Sequence, residues 1–491
     1  MTGWVLHCRE IDGEVDTEHG FRTLFGASPW AFWLDSSLVA GPARYSFLGD
    51  GGGPYADIHT AGVTDADDAA EPHQTGEPSE TGEPNETGEP NEAGEPNETG
   101  DPNQTGVESI FDALDRRLSG RAVELPDGLP PEAACGYVGY FGYELKAGDG
   151  ARTSHTSPWP DAAWMAATRF VVVDHRAGRS WVCELGRAGD RARWLDDAYA
   201  TLRDLPPPTP LARPRPSGAD PEPWLVRSRA RYLADVRTCL ERLRAGESYE
   251  ICLTNTADLP YAGDPLTTYR RLRRLNPAPY AAYLRLGDTY VLSASPERFL
   301  AVDAHGYAES RPIKGTAPRG GEPGHDAILR KELATSPKNQ AENLMIVDLL
   351  RNDLGRVCEP GTISVPAFLA VESYASVHQL VSTVRGRLRV GVTAAQAAHA
   401  CFPPGSMTGA PKVRTMEILD GLETRARGIY AGALGHFGLA GTADLSVVIR
   451  TAVVHQGRLT VGAGGAVVLD SDPWEEYDEM LLKAGVPLSA L

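Results

Sequence analysis

The chain has 491 residues, 42% of them apolar, enough to bury a large core and, on length alone, to form about three domains. Its formal net charge of −19 excludes nucleic-acid binding through a basic surface. Ten of the acidic charges fall between Glu71 and Asp101, where there is no Lys or Arg, and removing those ten leaves −9, an ordinary balance for a soluble enzyme.

The cysteines Cys8, Cys135, Cys183, Cys239, Cys252, Cys358 and Cys401 are scattered singly, with no C-x-x-C pair to suggest zinc or a redox dithiol, and a reducing compartment fits that usage. Met1 to Glu14 carries charge early and lacks an apolar stretch of signal-peptide length, and no later run approaches a membrane span. The expectation is a soluble, cytoplasmic protein.

In chain order, Trp30 to Ser37 and Arg44 to Gly49 read as two strands joined by a Gly-Pro turn, by default a core hairpin. From Thr75 to Gly106 a six-residue unit close to Thr-Gly-Glu-Pro-Asn-Glu repeats with almost nothing to bury, so residues 71–106 read as a disordered acidic insertion; a β-helix would need an apolar residue per turn. Ala134 to Tyr143, Trp164 to Val173 and Ser180 to Leu185 look like strands of an antiparallel sheet. A proline-rich tract follows, so the predicted organisation is an N-terminal region 1–205, a linker 206–226 and a C-terminal region 227–491.

Beyond the linker, Tyr232, Val236, Leu240 and Leu243 recur at helical spacing, predicting a helix from Arg227 to Ala245 ended by Gly246. Strand-like runs at Tyr249 to Thr254, Tyr280 to Leu286 and Tyr290 to Ser293 alternate with helices without a regular βαβ rhythm, which favours an α+β fold with a large antiparallel sheet. Arg311-Pro312-Ile313-Lys314-Gly315-Thr316 places a lysine between a proline and a Gly-Thr turn. In isolation it reads as a surface lysine.

Two helices offer carboxylates. Glu476, Glu479 and Lys483 at i, i+3 and i+7 share one helical face, for which a solvated charged face is the ordinary reading. Asn339 to Leu350 sets Glu342 beside an apolar run, where a carboxylate needs a counter-charge. The two helices could meet at a hard divalent cation, and oxygen ligands suit magnesium. Gly462 to Val467 is glycine-rich, but no helix follows as a dinucleotide fingerprint requires; it reads as a packed loop or as backbone N–H groups that hold a carboxylate. The Ser406 to Lys412 turn lacks the Gly-Lys-Thr of a phosphate loop.

Together these motifs resemble the chorismate-utilising enzymes and, within them, the aminodeoxychorismate synthase component I branch. The resemblance covers nearly the whole chain apart from the repeat and the proline-rich tract. It rests on Ser248 to Asn255, Ser295-Pro296-Glu297-Arg298-Phe299, the lysine motif, Ala341 to Asp353, Pro404 to Lys412, Ile449-Arg450-Thr451-Ala452 and the closing Glu-x-x-Glu-x-x-x-Lys. It implies two packed antiparallel β-sheets surrounded by helices, formed by both regions together, with the active site in the C-terminal region. It implies Glu342 and Glu479 as magnesium ligands with Glu476 in support, the metal holding the ring carboxylate of chorismate. Arg450 and Tyr430 would contact substrate, as would Thr408 and Gly409; Gly464, Gly465, Ala466, Gly315 and Thr316 would supply backbone donors, and Lys483 positive charge.

Lys314 separates the branches of this family: anthranilate synthases usually carry a small residue at this position and aminodeoxychorismate synthases a lysine. The implied mechanism has neutral Lys314 attack C2 of chorismate while Glu297 protonates the departing 4-hydroxyl. Ammonia then adds at C4 and expels the lysine, giving 4-amino-4-deoxychorismate for p-aminobenzoate and folate or a related specialised pathway. Such a lysine should be buried, its pKa lowered by burial or by neighbouring positive charge.

The chain departs from the family pattern at Gln379, where a histidine often precedes Leu-Val-Ser and His378 stands one place earlier, at Asn339, acidic in several relatives, and at Ala466 in the glycine run. Asp35-Ser36-Ser37 departs from the Leu-Glu-Ser of tryptophan-regulated relatives, so tryptophan inhibition is not expected. No Gly-x-Cys-x-Gly elbow is present, so ammonia would come from a separate glutamine amidotransferase subunit. The alternatives are an anthranilate or isochorismate-type product and, in a different class, a non-catalytic chorismate-binding subunit.

Overall fold

The computed structural model describes residues 3–36, 44–62, 108–205, 214–374 and 377–491. The acidic repeat 71–106, Ser37 and residues 206–213 of the proline-rich tract lie outside the described residues.

The fold is built on an 11-stranded and a 10-stranded sheet, every strand pair described being antiparallel. Across the first sheet the order is Trp4–Asp12, Arg179–Arg187, Arg169–Asp174, Tyr45–Asp50, Trp30–Asp35, then Tyr280–Leu286, Thr289–Ser295, Thr451–His455, Arg458–Val467, Glu250–Pro260 and Gly409–Ala410. The second runs Ile313–Pro318, Val377–Arg387, Tyr307–Arg311, Arg298–Val302, Ala443–Val447, Ala433–Gly438, then Cys135–Phe141, Ala162–Ala166 and Ile58–Ala61, with Ser364–Ser373 also paired to Val377–Arg387. Both sheets therefore draw strands from both regions, five N-terminal and six C-terminal in the first and three N-terminal and seven C-terminal in the second. The seams are Trp30–Asp35 against Tyr280–Leu286, and Cys135–Phe141 against Ala433–Gly438.

Side-chain alternation assigns the layers. Phe32, Phe47, Phe170 and Val172 pack with Val138, Tyr140 and Leu434 in the space between the sheets. Their neighbours Trp33, Leu48, Val171 and Val173 turn the other way, onto Phe21, Val236, Tyr269 and Met480 of the helices outside the first sheet. Tyr137, Phe141 and Trp164 face Phe111, Ile346 and Ala397 of the helices outside the second. Strands buried on both faces lose the apolar/polar alternation, and so the sequence shows unbroken apolar runs.

The run from Trp164 to Val173, expected to be one strand, is two: Ala162–Ala166 belongs to the second sheet and Arg169–Asp174 to the first. The chain crosses between sheets at Thr168, whose hydroxyl donates to the Gly52 carbonyl. The expected helix after the linker is Arg229–Arg244, capped by Ser228. The carboxylate-bearing helices are Pro337–Gly355, capped by Ser336, and Pro473–Leu488, whose cap Asp472 accepts from Trp474 N at 2.8 Å; both begin with proline at the first helical position. Gly462 to Val467 is not a loop but the end of the Arg458–Val467 strand, in register with Ile251 to Thr256.

Candidate active site

Four segments meet where both sheets end on the same side of the sandwich: the Glu250–Pro260 strand with Gly409–Ala410 beside it, the Ile313–Pro318 strand at the edge of the second sheet, and the two carboxylate helices. Pairing of the Ile313–Pro318 strand shifts between Ile313↔Val381 and Thr316↔Gln379, so Lys314 and Gly315 occupy a β-bulge rather than a turn. Gly315 has φ +94°, and a Cβ there would lie 2.8 Å from the Asn339 side chain of the helix above. The bulge aims Lys314 inward: it is 9% exposed, and its Nζ donates to Glu250 Oε1 at 2.5 Å.

Burial acts to lower the Lys314 pKa, as expected, but the Glu250 and Glu342 carboxylates outweigh it and hold the group well above the ordinary lysine value. The lysine is buried yet stored as an ammonium, and the neutral resting amine anticipated from sequence is not what the surroundings favour. Glu250, itself 1% exposed, is the residue sequence reasoning left without a role. A carboxylate opening an apolar strand, Tyr249-Glu250-Ile251-Cys252-Leu253, was the available signal.

Glu297 and Arg450 stand where the chain passes from one sheet to the other. Glu297 lies between Thr289–Ser295 of the first sheet and Arg298–Val302 of the second, and Arg450 between Ala443–Val447 and Thr451–His455. The two crossings are tied together, with Ser295 Oγ donating to Val447 O at 2.6 Å and Val447 N to Glu297 O at 3.0 Å. Burial pushes the Glu297 carboxyl up to about 7, against a Ser406 hydrogen bond and the charges of Lys314, Lys483 and Arg450. That range suits a proton donor at neutral pH. Arg450 adopts the left-handed region, φ +50°, and burial lowers its pKa against the opposing charge of Glu297. Among the described residues no hydrogen bond or salt bridge engages its guanidinium, and Glu297 is the one charge that acts on it.

On the Pro473–Leu488 helix, Glu476 is 2% exposed; Ser471 Oγ donates to its Oε1 at 2.7 Å, Lys338 Nζ stands 3.6 Å from that same oxygen, and its Oε2 is buried with no hydrogen-bond partner among the described residues. Glu479 is turned to Lys483, Oε1 to Nζ 2.6 Å, and Lys483 also donates to the Gly464 carbonyl at 2.9 Å. Burial would raise the Glu479 carboxyl, but Lys483 holds it below the usual range; burial leaves Glu342 and Glu476 raised. A Cβ on Gly465 would stand 2.8 Å from Glu476 Oε2 and 3.9 Å from Glu479 Oε1, so this glycine keeps space open in front of both. Among the described residues no three His, Cys, Asp or Glu side chains are gathered at metal-ligand spacing. The orphaned oxygen, the glycine opening and the grouping of buried carboxyls nevertheless fit a divalent cation, with Lys338 and Lys483 supplying counter-charge.

The remaining predicted residues hold the frame. Thr408 Oγ1 donates to Gly405 O at 3.1 Å, and Gly409, φ +145°, presses on the Glu250 carbonyl where a Cβ would collide. Tyr430 is 7% exposed, its ring flat against Gly462. Thr316 is exposed beside Gln379; Gly464 and Ala466 pair with Thr254 and Cys252, while beyond Ala452↔Val461 their strand has no described neighbour on its other side. His378 is committed to Ser373 and Asp326 at 2.8 and 3.0 Å. A separate cavity of about 370 Å³, lined by Asp35, Tyr45, Tyr280 and His436 among others, contains none of the candidate residues.

Residues 84–489 match the chorismate binding enzyme family. An aminodeoxychorismate synthase of Streptomyces pristinaespiralis is 46% identical over 99% of this chain, and the chain spans 65% of that protein, a little under two thirds of its length. Aminodeoxychorismate synthase component 1 of Klebsiella aerogenes is 39% identical over 70% of this chain and 74% of its own. Among solved structures, anthranilate synthase component I from Streptococcus pneumoniae TIGR4 superposes with a TM-score of 0.70 at 26% identity, over 92% of this chain and 93% of that one. With these likenesses added to the two-sheet fold and the carboxylate-lined cleft, the chain belongs to the chorismate-binding enzyme family.

Proposed function

We propose that this chain is the chorismate-aminating component of an aminodeoxychorismate synthase. The observation that carries the reading is Lys314, buried, set on a bulge and close enough for its charge to act on Glu297, a carboxyl poised near neutrality. An anthranilate-type product needs no such lysine, and a non-catalytic subunit would need neither it nor the Glu297 environment. Lys314 would bond C2 of chorismate as the ring double bonds shift and the 4-hydroxyl departs with the Glu297 proton; ammonia would then bond C4 and release the lysine. The free guanidinium of Arg450 would take the enolpyruvyl carboxylate, with Tyr430 and the Gly464 to Ala466 strand beside it.

Glu342, Glu476 and Glu479 would hold magnesium, which when bound supplies a positive charge for the ring carboxylate. Lys483 and Lys338 would yield their ion pairs as that charge enters. Ammonia would come from a separate glutamine amidotransferase, a reading the "component 1" name of the Klebsiella relative supports. No helix among the described residues is long and apolar enough to cross a membrane, and a cytoplasmic site of action is part of the proposal. Tryptophan inhibition is not, since Asp35-Ser36-Ser37 departs from the Leu-Glu-Ser of tryptophan-regulated relatives.

The test is incubation with chorismate, Mg²⁺ and ammonium salt, with products separated by chromatography. Aminodeoxychorismate is expected; anthranilate formed without an added lyase refutes the assignment.

A further inference from the structure

Glu250 is a buried charged group in the cleft to which the reading above gives no task. Its Oε1 holds Lys314 Nζ at 2.5 Å, while its Oε2 is buried without a hydrogen-bond partner among the described residues. Its backbone is fixed from both sides: Gly409 and Ala410 pair with Ile251 and Glu250, and Ser248 Oγ donates to the Glu250 carbonyl at 2.9 Å. The carboxylate thus comes from the strand next to the edge of the first sheet and the ammonium from the bulged edge of the second, 64 residues apart. A pair kept only for stability is poorly explained here. Apolar side chains of like volume replace buried ion pairs without loss, and leaving one carboxylate oxygen unpaired makes the pair worse.

We propose that Glu250 is a catalytic residue, the carboxylate that orients the Lys314 amine and takes its proton as the C2–N bond forms. The proposal rests on the Lys314 adduct reading. In the first step one proton passes from the Lys314 ammonium to Glu250, and the freed lone pair bonds C2. The C1–C2 and C5–C6 double bonds move to C1–C6 and C4–C5, and the C4–O bond breaks, its oxygen leaving as water with the Glu297 proton. In the second, ammonia bonds C4, the double bonds return, and the C2–N electron pair goes back to Nζ. Glu297 takes a proton from the new C4 ammonium, and Lys314 recovers its own from Glu250. Every group ends as it began, and no outside acid or base is consumed. A buried lysine 9% exposed otherwise has to surrender its proton to water through a packed cleft.

The experiment compares wild type, Glu250→Ala and Glu250→Gln in the full chain, with Mg²⁺ and saturating chorismate and without ammonia. The Lys314 adduct is read by intact mass after rapid quench, and chorismate affinity by equilibrium titration. Both variants should bind chorismate as wild type does and form adduct about 10²- to 10⁴-fold more slowly, the usual worth of a positioned acid or base. Formate should restore Glu250→Ala at least about tenfold by replacing the missing carboxylate, and formamide, of the same size, should not. The proposal is overturned by adduct formation at the wild-type rate in either variant, by rescue with both additives or with neither, or by loss of chorismate binding in both variants. A wild type that turns over without any adduct instead removes the lysine reading beneath it.

Discussion

Replacing Glu297 by glutamine keeps the shape of the side chain and removes its proton. At a pKa of about 7 the wild-type carboxyl is roughly nine-tenths protonated at pH 6 and roughly one-tenth at pH 8. If the Lys314 proton moves within the Glu250 pair, the reactive form carries the same number of protons as the resting form, so only Glu297 gives the step its pH dependence. Adduct formation should then be level below pH 7 and fall about tenfold per unit above it. Removing a positioned general acid costs about 10²- to 10⁴-fold. Glu297→Gln should therefore be slower by that factor near pH 6, show no fall above pH 7, and close on wild type by about tenfold per unit. The assay is rapid-quench intact mass with chorismate and Mg²⁺ but no ammonia, which would add its own titration. A wild-type profile without a break near 7, or the same break in Glu297→Gln, refutes the assignment of Glu297 as the acid.

Lys314→Met should abolish the adduct and, by stranding Glu250 in the interior, lower stability by about 3–5 kcal/mol in urea unfolding, a loss that adding Glu250→Gln largely reverses. Arg450→Gln should raise KM for chorismate about 10- to 150-fold, the equivalent of about 1.5–3 kcal/mol for a charged hydrogen-bonded contact, with a smaller effect on kcat. Gly465→Ala, whose new Cβ falls 2.8 Å from Glu476 Oε2, should raise the Mg²⁺ concentration for half-maximal activity while leaving the melting temperature nearly unchanged. Deleting Thr75 to Gly106 should leave ammonia-dependent activity unchanged, as judged by steady-state rates; a large loss would show that the acidic repeat contributes to the enzyme.

Much of this arrangement was legible in the sequence because it depends on local signals. The recurrence of Tyr232, Val236, Leu240 and Leu243 announces the Arg229–Arg244 helix, and the spacing of Glu476, Glu479 and Lys483 announces the Pro473–Leu488 helix that carries all three. What depends on the second sheet was not legible. The Trp164 to Val173 run looks continuous because both of its halves are buried on two faces, and only the pairing partners show that the chain changes sheets at Thr168. Gly462 to Val467 looks like a loop by composition. Its glycines are explained by what presses on them: the Tyr430 ring on Gly462, the backbone of Leu253 on Gly464, and the Glu476 carboxylate on Gly465. The Pro323–Thr335 helix had no periodicity to reveal it, since Leu333 is its only buried residue.

The protonation state of Lys314 was illegible for the same reason. The residues beside it in the chain, Ile313 and Gly315, carry no charge, and a lysine among uncharged neighbours is expected to lose its proton on burial. The opposing charge arrives from the Glu250 strand of the other sheet and from Glu342 on the helix above. Glu297 and Arg450 obey the same logic: each sits at a crossing between sheets, so its electrostatic neighbours are set by how the two crossings are bonded together rather than by adjacent sequence. A relative that kept Lys314 but placed an uncharged side chain at the Glu250 position would hold a different lysine, easier to deprotonate and without a local acceptor. On the proposed reading, the reactivity of Lys314 therefore depends on the pair, one residue from each sheet, and not on the lysine alone.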